Sequence, residues 1–482
     1  MPSVAIFFKM DGAQMCSCQS SPITHGKSRK EEGTMKKLFF ILLVVVLLGA
    51  WMFGNPDPAP AGQSSPAAQK EIRIGDCASL TGMFAAFGEG GLYGMKAAAD
   101  DINKQGGVFV KEYGAKLPVK LVVPNNESDP IKTGTLAEEL VLRDKVHFFA
   151  GPIRPPPMNA PIATIAERYK IPFVAANPLE PWQGMRTAVK PPWKYSWMFG
   201  FAIATPAPAG DFRHGKSGYT IADTWKSYLD MFGDKTNKRT GVFASDEPDG
   251  VGWYHAFPPM LKKWGYHVLG DERKLGLAPL ETTDFTPMIK EWMKDKVEIL
   301  WGNAPAPWFG TLWRQAYSLG FRPKMVAAAR AALFYDDVAA WGGDLPHGIG
   351  IEMWWDPTFK SCPGIGDTTP KTLFERWRKE KGKPLNPNIG MGYTAMQILF
   401  NAIERAGTLD GEKVNAAIGK TDLMTISHRV VFEPETQFSR NPLVFGQWVK
   451  TDKPHKWEMP IVLSKHDFIP AGAKPIFPMP FK

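Results

Sequence analysis

Residues 72–107 read IRIGDCASLTGMFAAFGEGGLYGMKAAADDINKQGG. The apolar alternation over 71–75 is a strand pattern, a glycine-rich turn follows it, and from 94 to 103 apolar residues recur at helical spacing. Strand, turn and helix make the first half of a βα unit, and the same succession repeats along the chain. Strands are expected at 119–123, 147–150 and 173–175, with helices at 133–143 and 162–169. A proline-rich stretch, 178–208, carries KYSWMFGFAIATP near its end and reads as an extended crossover. Beyond it, strands at 240–244, 297–301 and 324–327 alternate with helices at 252–264, 285–294 and 309–319. Helices at 373–381, 391–406 and 413–419, then strands at 429–432 and 443–449, complete the pattern.

Such alternation is satisfied by parallel sheets with helices on their faces. The expected fold class is α/β, with two Rossmann-like lobes joined by a multi-strand hinge. Lobe 1 takes 71–197, lobe 2 takes 198–352, and 353–482 returns to lobe 1 as its C-terminal part. The glycines at 82, 88, 90 and 91 do not form a dinucleotide loop directly after the first strand, so they are read as turn and packing positions.

Upstream, MKKLFFILLVVVLLGAWMFG from Met35 places Lys36 and Lys37 before an apolar run, the pattern of an export signal over 35–53. The run falls short of the ~20 residues that cross a bilayer comfortably. A cleaved signal is therefore expected over an uncleaved membrane anchor, which is the alternative. Residues 1–34 are read as a non-native N-terminal extension, and 54–70, rich in Pro, Ala, Gly and Ser, as a flexible linker. The expected location is periplasmic or extracytoplasmic. Removal of the signal leaves Cys77 and Cys362, which an oxidising compartment permits to form a disulfide. Spacing alone leaves the paired and the free state both open.

Composition narrows the function. With 482 residues, 44% hydrophobic and 22% charged, the chain can bury large cores. The net charge of +9 is scattered without long basic runs, so it reads as a solvated surface rather than a nucleic-acid face. Nine histidines without HExxH argue for no metal, no cofactor is expected, and with GxSxG and a phosphate-binding loop both read as absent no enzyme is predicted. Seventeen tryptophans exceed what a core usually needs, and Trp182, Trp253, Trp301, Trp308 and Trp355 sit on or beside loops that follow strands.

The residues resemble the type I periplasmic binding proteins of the branched-chain amino acid (Leu/Ile/Val) transport class. The likeness is carried by 72–107 with its SLTG loop and INKxGG end, AGP at 150–152, IPFVAAN at 171–177, the Asp-x-x-Asp-Gly turn at 246–250, DFTPMIKEWMKDKVEILWGN, and FERWRKEKGKPLNPNIGMGYTAMQILFNAIERAGTLD. It covers almost the whole mature chain. It implies a solute-binding protein of an ABC importer, a monomer that closes two lobes on a small molecule and delivers it to a membrane permease and ATPase complex. A sensor signalling to a membrane receptor is one alternative, and an amino-acid or amide binder with a divergent cleft is another.

Ligands of doubly wound sheets bind beyond the carboxyl ends of the strands. Candidate contacts are therefore Ser79 and Thr81 of the SLTG loop, Phe87, Arg154, Asn177, Asp246, Asp249, Trp301, Asn303, Arg330 and Trp355. The resemblance makes Phe87 a ligand-facing aromatic. Two departures from the family bear on the cargo: Arg154 and three prolines replace a hydroxyl-bearing loop, and no Asp or Glu lies between Gly320 and Phe334, where an acidic partner for an ammonium group is usual. A carboxylate-bearing, apolar or aromatic ligand is expected in place of a standard branched-chain amino acid. Arg154 or Arg330 would hold its carboxylate, with a structural salt bridge as the other reading for each. Asp246 and Asp249 have helix capping as their other reading.

Overall fold

The structure, a computed structural model, describes residues 69–481; the extension, the export signal and nearly all of the linker lie outside the described residues. No helix among the described residues is long and apolar enough to cross a membrane.

The first sheet has six parallel strands, ordered Phe438–Arg440, Ser196–Phe201, Phe173–Pro178, Phe148–Gly151, Ile72–Gly75 and Val119–Val122. Its central strands are buried along their whole length, because helices cover both faces of a parallel sheet and leave no polar side. The second sheet has eight strands. Leu277–Ala278, Arg239–Ser245, Ile299–Asn303, Met325–Ala329 and Gly350–Met353 run parallel, and Val444–Gln447 and Ile461–Leu463 are added antiparallel. His267–Val268 pairs with Arg239–Ser245.

Helix starts follow local chemistry. Asp129 accepts from the backbone N–H groups of Ile131 and Lys132 ahead of Pro130, and the helix Pro130–Leu142 begins there. Glycine sets the packing of the first helix, Ala85–Lys104. A Cβ on Gly94 would lie 2.0 Å from the Ile389 carbonyl oxygen, so only glycine lets this helix approach Asn388–Ala406 so closely. At Gly88 the obstacle is the Ser79 carbonyl oxygen, also at 2.0 Å. Gly88 serves packing, as expected, and Gly94 does the same.

Three departures from the sequence reading follow from burial. The stretch 178–208 is not an extended crossover: it holds the helix Leu179–Ala188 and the fully buried strand Ser196–Phe201, whose aromatic run the surrounding prolines disguised. The first lobe therefore extends past 197. The C-terminal part does not stay in lobe 1 either. From Val444 it joins the second sheet, because Gly350–Met353 offers an open edge that Val444–Gln447 fills in antiparallel register. The sheets are thus linked by three crossovers: 202–220, the segment after Met353, and 441–443.

Of the two cysteine states left open by spacing, the structure has the free one. Cys77 and Cys362 are free thiols, each buried as a small apolar side chain in a different hydrophobic cluster. Burial pushes the Cys362 thiol up to about 12 and the Cys77 thiol higher still, so neither is poised as a thiolate.

Candidate ligand-binding cleft

Between the carboxyl ends of the two parallel sheets lies a small cavity of about 30 Å³, little more than the space of a water molecule or two. Strand ends deliver its residues. Arg154 follows Phe148–Gly151, Pro178 and Phe201 end their strands, Asn303 ends Ile299–Asn303, and Arg330 follows Met325–Ala329. Of the sequence candidates, Phe87, Arg154, Asp249, Asn303 and Arg330 meet here.

The two arginines are buried and already partnered. Arg154 Nη2 lies 2.5 Å from Asp76 Oδ1, and its Nη1 donates to the Cys77 carbonyl at 2.6 Å. Burial raises the Asp76 carboxyl, and Arg154 pulls it back down. Arg330 Nη2 donates to Glu247 Oε1 at 2.6 Å and Ser245 Oγ at 2.8 Å, and its Nη1 lies 3.2 Å from Asp249 Oδ2. Burial works against ionisation of Glu247, but the Arg330 guanidinium overcomes it and holds that carboxyl below its ordinary value. Asp249 is pushed up to about 6 by burial, with Arg330 lowering and Glu247 raising it. Arg330 also holds φ +60°, a left-handed backbone that is costly for a non-glycine residue and recurs at functional sites.

Several polar atoms in this lining have no partner: Nε of both arginines, Asp249 Oδ1, Asn303 Oδ1 and the Trp354 indole N–H. Buried polar groups are normally satisfied, and a cluster of exceptions on the residues lining one cavity suits the binding of a polar ligand. Apolar walls come from Phe87, Phe201, Trp253 and Trp354, and Phe201 stacks on Trp354 at 5.5 Å. Glu352 completes the lining. It is 1% exposed, burial raises its carboxyl to about 8, and it accepts from the Trp225 indole at 3.2 Å. At neutral pH it is therefore a protonated acid, able to donate a hydrogen bond.

The remaining candidates sit elsewhere. Ser79 is buried under Gly88, and Thr81 is exposed and accepts from Asn125 Nδ2. Asn177 turns its amide onto Met198, leaving Pro178 to line the cavity. Asp246 is exposed, and Glu247 rather than Asp246 or Asp249 caps the helix Pro248–Lys263. Trp301 lies in the second-lobe core, edge-on to Trp225 at 5.0 Å. Trp355 donates to the Ile426 carbonyl in the first-lobe core, and its neighbour Trp354 reaches the cavity instead. A period-two reading from Gly350–Met353 would have found Glu352 and Trp354 on one face and Trp355 on the other. Trp253 reaches the cavity, whereas Trp182 and Trp308 pack away from it.

The reading of no phosphate-binding loop needs correction at the level of spacing, because residues 210–217, GDFRHGKS, match G-x4-G-K-S. Such a loop passes from a strand directly into a helix whose N–H groups hold the phosphate. Here the segment lies within the first crossover, the next helix begins at Ile221 with Thr220 as its cap, and Arg213 is buried on Asp211. The spacing is present without the cradle.

The cleft is closed at its mouth by contacts between lobes. Phe87 meets Phe334 edge-on at 4.6 Å, and Lys383 bridges Glu89 at 2.8 Å and Asp336 at 2.7 Å. Because the ammonium is part-exposed, Lys383→Ala is expected to weaken ligand retention only modestly, by ~0.2–1 kcal/mol. The difference should shrink at high salt in a titration repeated at two ionic strengths.

A cavity between two parallel-sheet lobes joined by three crossovers defines a cleft-type solute-binding protein. The chain belongs to the periplasmic binding protein family, whose model matches residues 71–453. Membership implies a small-molecule ligand, partners of the ABC-transporter type and an extracytoplasmic location. A Leu/Ile/Val-binding protein homolog from Brucella suis is 22% identical over 394 residues, covering 79% of this chain and 88% of the relative. A leucine-binding protein from Thermotoga maritima superimposes with a TM-score of 0.63 at 21% identity, over 82% of this chain and 99% of its own. A Rhodopseudomonas palustris solute-binding protein of an ABC transporter, solved with 3,4-dihydroxybenzoic acid, gives 0.62 at 18% identity, over 84% and 99%. At these identities the solved structures show the shared fold.

Proposed function

We infer that this protein captures a small aromatic carboxylic acid, unaltered, between its lobes and delivers it to an ABC permease. One observation carries the reading. Residues from both lobes that line a cavity with aromatic walls carry buried polar atoms without partners. A carboxylate would answer the free guanidinium N–H donors, a ring admitted by parting of the lobes would pack against Phe87, Phe201, Trp253 and Trp354, and a ring hydroxyl would donate to Asp249 Oδ1 or Asn303 Oδ1. The 3,4-dihydroxybenzoate complex of the R. palustris relative supports this chemistry. Because each arginine already has a carboxylate partner, the site suits one negative charge rather than several.

A second reading has a specific basis. The acidic group missing around Arg330 in the sequence arrives from another element, as Asp249, and its free oxygen could take the ammonium of an amino acid. Titration followed by tryptophan fluorescence separates the two. Saturable binding of 4-hydroxybenzoate, recovered unchanged, with no response to leucine is the expected result; the reverse order selects the amino-acid reading. Trp253→Leu, which keeps an apolar wall but removes the ring, is expected to weaken hydroxybenzoate about tenfold, or ~1.4 kcal/mol.

A further inference from the structure

The three crossovers line a second cavity, of about 280 Å³, away from the cleft. Phe212 and Tyr219 come from the first crossover, Lys360 and Cys362 from the segment after Met353, and Pro442 from the third. These segments are tied together. The Leu443 N–H donates to the Gly218 carbonyl at 2.7 Å, and Arg213 Nη1 donates to the Arg440 carbonyl at 2.7 Å. The cavity is therefore built into the hinge.

Its chemistry is one-sided. The apolar wall is formed by Phe212, Tyr219, Met424 and Phe468, and the polar lining contains Lys360, Arg429 and Arg440 with no carboxylate among the lining residues. Arg429 is held by Asp422 and Arg440 by Glu433, whereas the exposed Lys360 ammonium has no ion-pair partner among the described residues. Phe212 lies under three cations: Arg213 at 4.8 Å, Arg429 at 5.1 Å and Lys216 at 5.8 Å. His428, 3% exposed, also lines the cavity. Its Nδ1 is paired with Ser427 Oγ at 2.8 Å, and its Nε2 has no partner. Burial and the charge of Arg213 push its pKa down to about 3, so the ring supplies a neutral hydrogen-bonding group rather than another charge. A buried nitrogen without a partner beside an unfilled cavity points to a ligand.

We propose that the hinge cavity is a second binding site, for a small anion with an apolar or aromatic body, separate from the cleft site. The anionic group is met by Lys360 at the entrance, the body rests on Phe212 and Met424, and His428 Nε2 makes the inner hydrogen bond. Because its walls are the segments that bend when the lobes part, an occupant changes the preferred lobe spacing.

The test uses 8-anilino-1-naphthalenesulfonate, an aromatic anion, as the probe in an equilibrium fluorescence titration of the whole protein. Expected is saturable binding of one probe per chain. Met424→Trp, which fills the cavity from a part-exposed position, should weaken it at least tenfold, and Lys360→Glu at least threefold, while the cleft variant Trp253→Leu leaves it unchanged. Circular dichroism verifies that each variant is folded, and Lys360→Glu, at an exposed site, serves even if Met424→Trp is not. No saturable binding, or binding indifferent to both hinge variants, overturns the site. Loss with Met424→Trp alone overturns the anion preference, and loss with Trp253→Leu places the probe in the cleft and overturns the separate site. An unchanged radius of gyration in X-ray scattering at saturating probe overturns the effect on lobe spacing.

Discussion

Arg154→Ala is expected to destabilise the protein by ~3–5 kcal/mol, read as a lowered urea midpoint at unchanged slope. The guanidinium is 3% exposed and Asp76 is fully buried, so removal leaves a carboxylate with neither water nor counter-charge. Burial already raises the Asp76 carboxyl, and Arg154 is what opposes it. Without the arginine, the folded state holds the Asp76 proton more tightly than the unfolded chain does, so stability falls as pH rises from the ordinary carboxylate range through the raised folded value. The defect should therefore be larger at pH 8 than at pH 5. Asp76→Asn in the Arg154→Ala background should recover much of the loss, because a neutral amide is left in place of an unpaired charge. If Arg154→Ala melts like the parent at pH 8, the pair contributes nothing to the fold and its role lies in binding alone.

Glu352→Gln is expected to act in the opposite direction. Burial raises the Glu352 carboxyl from 4.5 to about 8, so between those values the folded chain is protonated at this site where the unfolded chain is ionised. The group's contribution therefore declines with rising pH across that window, at ~1.4 kcal/mol per pH unit, and levels off above it. Glutamine has nearly the shape of the protonated acid and cannot ionise. The variant should match the parent near pH 4.5 and exceed it by several kcal/mol at pH 8 and above. Urea denaturation at pH 5, 7 and 9 checks this, and parallel stability curves for parent and variant would contradict it. Binding should respond differently: if the ligand accepts a hydrogen bond from Glu352, the amide N–H can replace it, and affinity at pH 7 changes little.

Much of the fold could be read from the sequence because parallel strands buried on both faces leave strong marks: short continuous apolar runs, each followed by a turn and a helical period. The strand Ser196–Phe201 carries that mark as clearly as any, in SWMFGF, but prolines on either side give the stretch the composition of a loop. The affiliation of Val444–Gln447 was a different matter. Its residues suit either sheet, and only the open edge left by Gly350–Met353 decides which sheet receives it.

The cleft divides along the same line. Rules about strand ends brought Arg154, Asp249, Asn303 and Arg330 to one place, because the carboxyl ends of parallel strands must face a common side. They do not say which of two adjacent residues turns inward: Trp354 rather than Trp355 lines the cavity, and Pro178 rather than Asn177. Nor could they show what each arginine already holds. The expectation of an arginine free for a carboxylate gives way to two arginines with partners, Arg154 keeping its Nε–H unmet and Arg330 both Nε–H and Nη1–H.

By itself the sequence determined the two-lobed α/β plan and the strand ends where a solute would be held, since both follow from periodicity along the chain. The tertiary structure decided the charge state of the cleft, the separation of Cys77 from Cys362, and the hinge cavity. These depend on burial and on contacts between residues far apart in sequence, such as Asp76 with Arg154, Arg330 with Glu247, and Phe212 with Arg429. Desolvation and pairing act through space, and no local pattern records which distant groups will share a dry site.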